Sequence, residues 1–395
     1  MTTLAEVQRL VRDFLSDYPV ATTPDVDLRG ARFDAGLAFV SFAEGFGGLG
    51  LDPSYQGLVE RMFIEAGAVD WTQGNMISLG LAAPTIYAAG TAEQKSRFLR
   101  PLFTGEEIWC QLFSEPGAGS DLASLATRAA PVQGGYLVNG QKVWTSLAHV
   151  ARRGLLLART DPDVPKHKGL SYFVLDMHLP GVEVRPLRQL TGQAEFNEVY
   201  LTDVLVPEAD RVGSLGDGWQ IAITTLANER TAIGRRNSQR GEGSISIAVR
   251  EFADAAAAGR ATSEYRDRLL RLWTEAEAAR LTNMRATVQQ GSAAPGPQGS
   301  IAKLRYAELN QAIYQLCVDL RGIDGMLVSD YTLARPDRSS GGTADVRKAF
   351  LRSLANTIEG GTSDVMRNIL GERVLGLPRE PRTDGDVAWN QLRRS

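Results

Sequence analysis

Cysteine and histidine are scarce in this 395-residue chain, with two copies of the first and three of the second. Cys110 and Cys317 lie far apart, each inside an apolar run. That excludes a disulfide framework and leads us to expect a reducing, cytoplasmic setting. His149, His167 and His178 show no metal-ligand spacing with either cysteine, so no metal site is expected. No apolar run reaches the roughly eighteen residues of a membrane helix. The segment from Met1 to Leu15 carries mixed charges at helical spacing and lacks a signal-peptide core. A surplus of one charge is missing too: the net formal charge of −3 leaves no footprint for nucleic acid or anionic lipid.

What is present is an ordinary globular balance, 43% apolar and 23% charged, in a chain long enough for more than one domain. The first hundred residues read helical. Val7, Leu10, Val11, Phe14 and Leu15 form a stripe, 33–44 and 55–66 follow as helices, and Thr91 with Gln94 forms a capping box. The glycine-rich run from Gly45 to Gly50 has no strand before it and reads as a turn between helices. From Trp109 the period changes to short β-rich runs at 155–158, 170–175, 182–187 and 198–206, which argue an antiparallel barrel or sandwich. Beyond Gly213 helical patterns return, from Gly218 and over 267–290, 300–320 and 344–367.

The chemistry is anchored between Trp109 and Ser146. A strand-like run reaches Phe113 and breaks at Ser114-Glu115-Pro116-Gly117-Ala118-Gly119-Ser120-Asp121. Gly117 and Gly119 let the backbone bring its N–H groups close to a ligand, and such a concave turn suits a pyrophosphate. Leu122 stands where a dinucleotide fingerprint has its third glycine, so that motif is absent. The stretch from Gly134 to Ser146 then reads as strand, Asn139-Gly140 turn, strand, ending on Trp144 beside the hydroxyls of Thr145 and Ser146.

The order and spacing of these pieces resembles the flavin-binding signature of the acyl-CoA dehydrogenase family. A C-terminal stretch, Ile358-Glu359-Gly360-Gly361-Thr362-Ser363-Asp364, resembles that family's closing signature. The resemblance spans nearly the whole chain. It implies an α+β multi-domain fold: an N-terminal helical domain (1–108), a central antiparallel β-barrel (109–212) and a C-terminal four-helix bundle (213–395). It implies FAD, an acyl-CoA substrate from lipid β-oxidation, and electron-transferring flavoprotein as the partner that takes the electrons. Carried over residue by residue, the cofactor contacts are Gln111, Phe113, Ser114, Gly119, Ser120, Trp144, Thr145, Ser146, Thr362 and Asp364. The substrate contacts are Ser120, Asn228, Arg230, Gly360 and Gly361. Asp364 departs from the usual Gln or Glu.

The family reaction removes an α-proton with a carboxylate while hydride leaves the β-carbon for flavin N5. Trp219, Ala222, Leu226, Glu229 and Ile233 follow at spacings of 3, 4, 3 and 4, a single helical stripe with one acid in it. An acid in an apolar stripe is a stronger base, because burial disfavours its charged form. The pattern alone favours the other reading, a Glu229 held in a salt bridge to another helix. Many family members place the base immediately before Gly-Thr in the closing signature, but here that position is Gly360, with Glu359 one residue earlier. A second subgroup carries it before an arginine on the first helix of the C-terminal domain, and Asn228-Glu229-Arg230 matches. The resemblance therefore implies Glu229.

One departure is larger. The family's Arg-x-x-Phe-Gly, which reaches the FAD of a neighbouring subunit, is replaced by Arg235-Arg236-Asn237-Ser238-Gln239-Arg240-Gly241. The later interface segment is reduced to Gly322-Ile323-Asp324-Gly325-Met326. We therefore expect a tetramer, either homomeric or an α2β2 assembly with a related subunit, and a bulky acyl group of steroid or polyketide type. Two other readings stand beside the dehydrogenase: a flavin-dependent oxidase or monooxygenase on the same fold, and a non-catalytic structural subunit.

Overall fold

The structure, a computed structural model, describes residues 2–71, 75–234, 239–290, 299–328, 330–336, 345–381 and 384–392, apart from the side chains of 230–234 and 287–290. Thr3 opens α1 (Leu4–Asp17) with a capping box: its hydroxyl accepts the Glu6 N–H, and the Glu6 carboxylate accepts the Thr3 N–H. Val7, Val11 and Phe14 are the buried face of α1, in a cluster with Val59 and Phe63 of α3 (Gln56–Glu65). Leu10 stays exposed.

A helix over 33–44 is not formed. Instead α2 spans Asp25–Asp34, and residues 35–50 fold back on themselves. Gly36 follows the helix at φ +73°, and the Val40 carbonyl accepts the Leu49 and Leu51 amides. A Cβ on Gly48 would sit 2.2 Å from the Phe42 carbonyl oxygen, so this close return needs glycine there. A π-helical turn, Ile77–Ala82, leads into α4 (Ala83–Ala89). The expected Thr91–Gln94 capping box then starts α5 (Ala92–Thr104).

The middle of the chain is one eight-stranded sheet: β1 (Trp109–Leu112), β2 (Arg128–Val132), β3 (Gly135–Ser146), β4 (Arg153–Arg159), β5 (Leu170–Asp176), β6 (Val182–Pro186), β7 (Phe196–Pro207) and β8 (Arg211–Val212). The order is β6-β7-β3-β2-β4-β5-β8, with β1 also beside β4. Most pairings are antiparallel, but β1 and β2 each meet β4 in parallel. Period-2 alternation splits the apolar run of β4 between two cores. Leu155 and Leu157 pack toward the helices, and Leu156 and Ala158 pack into the sheet's other side.

Asn139-Gly140 does not turn the chain. The β2–β3 hairpin turns at Gly134 (φ +84°), and β3 runs straight through Asn139 as a bulge. Nine of the twelve residues of β7 pair along β3, and this long ladder outweighs the local turn preference. Asn139 exchanges two 2.9 Å hydrogen bonds with Asp203 across the bulge.

The C-terminal region comprises α6 (Gly218–Gly234), α7 (Ser244–Ala257), α8 (Ser263–Gln290), α9 (Gly299–Arg321), α10 (Val346–Ser353) and α11 (Ser363–Arg373). Among them α9 is central and packs against all the others. The continuous helix expected over 344–367 is broken into α10, a 3-10 turn at Leu354–Thr357 and α11. Gly360 (φ +62°) and Gly361 (φ +94°) reverse the chain in the left-handed region, and Thr362 caps α11 through its hydroxyl. One apolar cluster unites α5, the sheet and α6 through Phe98, Trp109, Tyr172 and Ala222. No helix of the described residues is long and apolar enough to cross a membrane.

Candidate active site

Three parts of the chain converge on one cavity of 3410 Å³. Its wall from the sheet is built by Gln111, Phe113 and Ser114 at the end of β1, by the turn at Gly119 and Ser120, and by Trp144 and Ser146 at the end of β3. Helix α6 contributes Trp219, Ile223, Leu226, Asn228 and Glu229. Gly360, Gly361 and Thr362 close it from the C-terminal side.

Trp144 is held in an unusual state. Its φ is +61°, a second bulge interrupts the β3–β7 register beside it, and 58% of its surface is exposed. Left-handed backbone at a bulky residue costs energy and concentrates at functional sites. The bulge turns the indole out of the sheet and into the cavity, where the Phe196 ring meets it edge-on with centroids 6.1 Å apart.

The turn that carries Ser120 is fastened by a buried ion pair. The Lys142 ammonium lies 2.8 Å from Glu115 and also donates to the Phe113 carbonyl at 3.0 Å. Glu115 further accepts the Ala126 and Thr127 amides at 2.6 and 2.9 Å. Burial alone would push the Glu115 carboxyl up, but Lys142 and these amides outweigh it and hold the carboxyl below the ordinary range. Both residues stood inside the sequence motif without an assigned role. The signal available was a charged pair set among apolar strand positions.

The row of side chains around Glu229 differs from the expected stripe. Ala222 is buried in the core, and Ile223 takes its place on the cavity wall. The side chains of Arg230 and Ile233, and all of Arg235 and Arg236, lie outside the described residues. Thr225, one turn before Glu229, is fully buried. Its hydroxyl lies 3.0 Å from that of Thr85 in α4 and 3.1 Å from that of Tyr172 in β5, so α6 is tied to both neighbouring layers.

Glu359 is differently placed. Arg352 donates to its two carboxylate oxygens at 3.0 and 2.9 Å, and the Asn356 side chain donates to one of them at 2.7 Å. Lys303, almost completely buried, donates to the Asn356 carbonyl at 2.9 Å and to the Gly361 carbonyl. Burial lowers the Lys303 ammonium below its usual range, against the opposing pull of Glu359 and Glu229. Sequence reasoning missed Arg352 and Lys303, whose partners are backbone carbonyls and residues brought close only by the broken helix.

Two expected cofactor contacts are not on the cavity wall. The Thr145 side chain is buried beneath the strand, and its hydroxyl has no hydrogen-bond partner among the described residues. Asp364 is 93% exposed, 3.6 Å from Arg367.

Family models for the acyl-CoA dehydrogenase N-terminal, middle and C-terminal domains match residues 4–106, 110–204 and 216–375. The chain belongs to the acyl-CoA dehydrogenase family: it is an oxidoreductase of a group of FAD-binding flavoproteins. Acyl-CoA dehydrogenase FadE34 of Mycobacterium tuberculosis is 41% identical over 91% of this chain, which spans only 47% of that protein's length. Acyl-CoA dehydrogenase IpdE1 of the same organism is 37% identical, covering 88% of this chain and 86% of that protein. Among solved structures, the ChsE4-ChsE5 complex from M. tuberculosis aligns with a TM-score of 0.70 at 28% identity, over 96% of this chain and 100% of the other.

The cavity fits FAD. Gly117 and Gly119 have open space where a Cβ would stand, the Ser114, Ser120 and Ser146 hydroxyls are near, and Trp144 offers a large uncovered aromatic face. Among the described residues no group of three or more His, Cys, Asp or Glu side chains is arranged to hold a metal ion.

Proposed function

We propose that this chain catalyses α,β-dehydrogenation of an acyl-CoA thioester, with Glu229 as the base. The observation that carries the reading is that Glu229 lines the same cavity as Trp144, Ser114 and Ser120, on the helix where the sequence resemblance puts the base. FAD, when bound, supplies the two-electron acceptor. The chain's own residues do the rest. Trp219, Ile223 and Leu226 keep water from the α-carbon, and Glu229 receives the α-proton on a carboxylate oxygen. Trp144 and the hydroxyls of Ser114, Ser120 and Ser146 orient the cofactor, and Asn228, Gly360 and Gly361 orient the thioester.

The acyl group we propose is bulky, of steroid or polyketide type. In support, this chain lacks the Arg-x-x-Phe-Gly interface motif, a departure that resembles family members built with a second subunit, some of which act on bulky, steroid-type side chains. We assign the chain to an α2β2 assembly that hands its electrons to electron-transferring flavoprotein. The missing Arg-x-x-Phe-Gly supports a second, related subunit, and so does likeness to a structure whose title names a complex of two chains. The domains divide as 1–108, 109–212 and 213–395. The test is a panel of straight, branched and polycyclic acyl-CoA thioesters, assayed with an artificial electron acceptor. Enoyl-CoA formed fastest from a polycyclic thioester supports the reading. Turnover confined to short straight chains removes the bulky substrate, and oxygen consumption without the acceptor removes the dehydrogenase.

A further inference from the structure

We propose that Arg352 is a positioning residue that joins the two halves of the flavin cradle carried by this chain. The inference rests on the reading that Trp144 lies against the isoalloxazine. From α10 the guanidinium grips Glu359, two residues before the Gly361 that closes the cavity, with bonds of 3.0 and 2.9 Å. Its Nε donates to Glu195 at 3.4 Å, in the segment that leads into β7. The same group lies over the Phe196 ring, 5.2 Å from the centroid, and Phe196 in turn meets Trp144 edge-on.

One side chain thus touches the closing signature on one side and the support of the strained Trp144 on the other. The Glu195 carbonyl also accepts the Leu147 amide, which fixes the far side of the Trp144–Ser146 corner. A second non-glycine residue with positive φ, Leu147 at +59°, marks that corner. Strained backbone persists only where its surroundings over-determine it, and Arg352 supplies part of that constraint.

Arginine is required by the geometry. Three nitrogens in one plane serve two carboxylates while the flat face covers an aromatic ring, which a lysine ammonium cannot do at once. The two carboxylates hold the guanidinium firmly charged, above its usual range despite burial.

The experiment compares Arg352→Lys, Trp144→Ala and the double variant in the flavin-loaded assembly, reading the visible flavin spectrum and the FAD dissociation constant. Arg352→Lys keeps the positive charge between Glu195 and Glu359, which guards against misfolding, and Arg352→Met is a harsher second variant. Arg352→Lys is expected to weaken FAD binding about tenfold, the order lost when a charged hydrogen bond is removed. It shifts the flavin bands in the sense of Trp144→Ala, with the far-ultraviolet circular dichroism unchanged. In the Trp144→Ala background its spectral shift is largely lost, because that part of its action passes through the indole, while its lost grip on Glu359 still weakens FAD binding. A wild-type spectrum and FAD affinity in Arg352→Lys, with both altered in Trp144→Ala, overturns the inference alone. Fully additive spectral changes overturn it as well. A silent Trp144→Ala overturns the reading beneath it, and the inference with it.

Discussion

Arg352 and Glu359 form a two-point ion pair, with both terminal nitrogens of the guanidinium on both oxygens of the carboxylate at 3.0 and 2.9 Å. This pairing ties Glu359 into the framework of the cavity that it shares with Glu229. Both Glu359 oxygens are engaged by the guanidinium and one also by the Asn356 amide, so a substrate proton could reach them only by breaking a charge-assisted bond. Glu359 belongs to the framework, and Glu229 is the acid we assign to the chemistry.

The Glu115–Lys142 pair gives a stability prediction with a defined pH dependence. Replacing one partner leaves the other buried and uncompensated, so Glu115→Gln is expected to cost about 3 kcal/mol at neutral pH. The Glu115 carboxyl is depressed in the folded chain. Its contribution is therefore complete above about pH 4.3, the ordinary glutamate value, and is lost as the pH falls through the lower folded value. Thermal unfolding of wild type and Glu115→Gln should show a wide gap at neutral pH that closes in acid. An equal gap at both pH values would contradict the assignment.

Thr225 should matter more than either neighbour, because it stands between the Thr85 and Tyr172 hydroxyls. Thr225→Val deprives the buried Tyr172 hydroxyl of its partner, while Thr85 keeps the Leu81 carbonyl at 2.7 Å, and is expected to cost about 2 kcal/mol. Tyr172→Phe removes only one end and should cost about 1 kcal/mol. Denaturant melts of the two variants and of Thr225→Ser, which keeps the hydroxyl, check the order. Equal losses in all three would show that packing, rather than the hydroxyl chain, anchors α6.

How much of this was legible beforehand follows from how local each feature is. The capping box at Thr91 and the strands at 155–158 and 170–175 rest on neighbouring residues, and they read directly. The Asn139-Gly140 turn was misread because its competitor, nine paired residues of β7, lies far away in sequence. The helix expected over 344–367 passes into a 3-10 turn from Leu354, and Gly360 and Gly361, in the left-handed region, then reverse the chain within an otherwise helical pattern. At the site, the sequence resemblance pointed to Ser114, Ser120, Trp144 and Glu229, which the fold brings to one cavity. Arg352 was invisible, since its partners Glu195 and Glu359 come from segments joined only by tertiary packing.

The two-subunit proposal predicts what happens when the chain is expressed alone. Flavin content should fall well below one per protomer, and co-expression with a related chain carrying Arg-x-x-Phe-Gly should restore it. Absorbance of the released flavin, combined with mass measured in solution, decides this. A stable homotetramer with one FAD per chain and full turnover would exclude the second subunit.

The central claim is that Glu229 takes the α-proton, and anaerobic single-turnover reduction of the bound flavin tests it most directly. Glutamine is nearly isosteric with glutamate and cannot accept the proton. Glu229→Gln should therefore retain FAD and slow flavin reduction about a thousandfold, within the range general-base catalysis contributes. Glu359→Gln should slow it far less. Near-normal flavin reduction in Glu229→Gln, with the large loss in Glu359→Gln instead, would contradict the account.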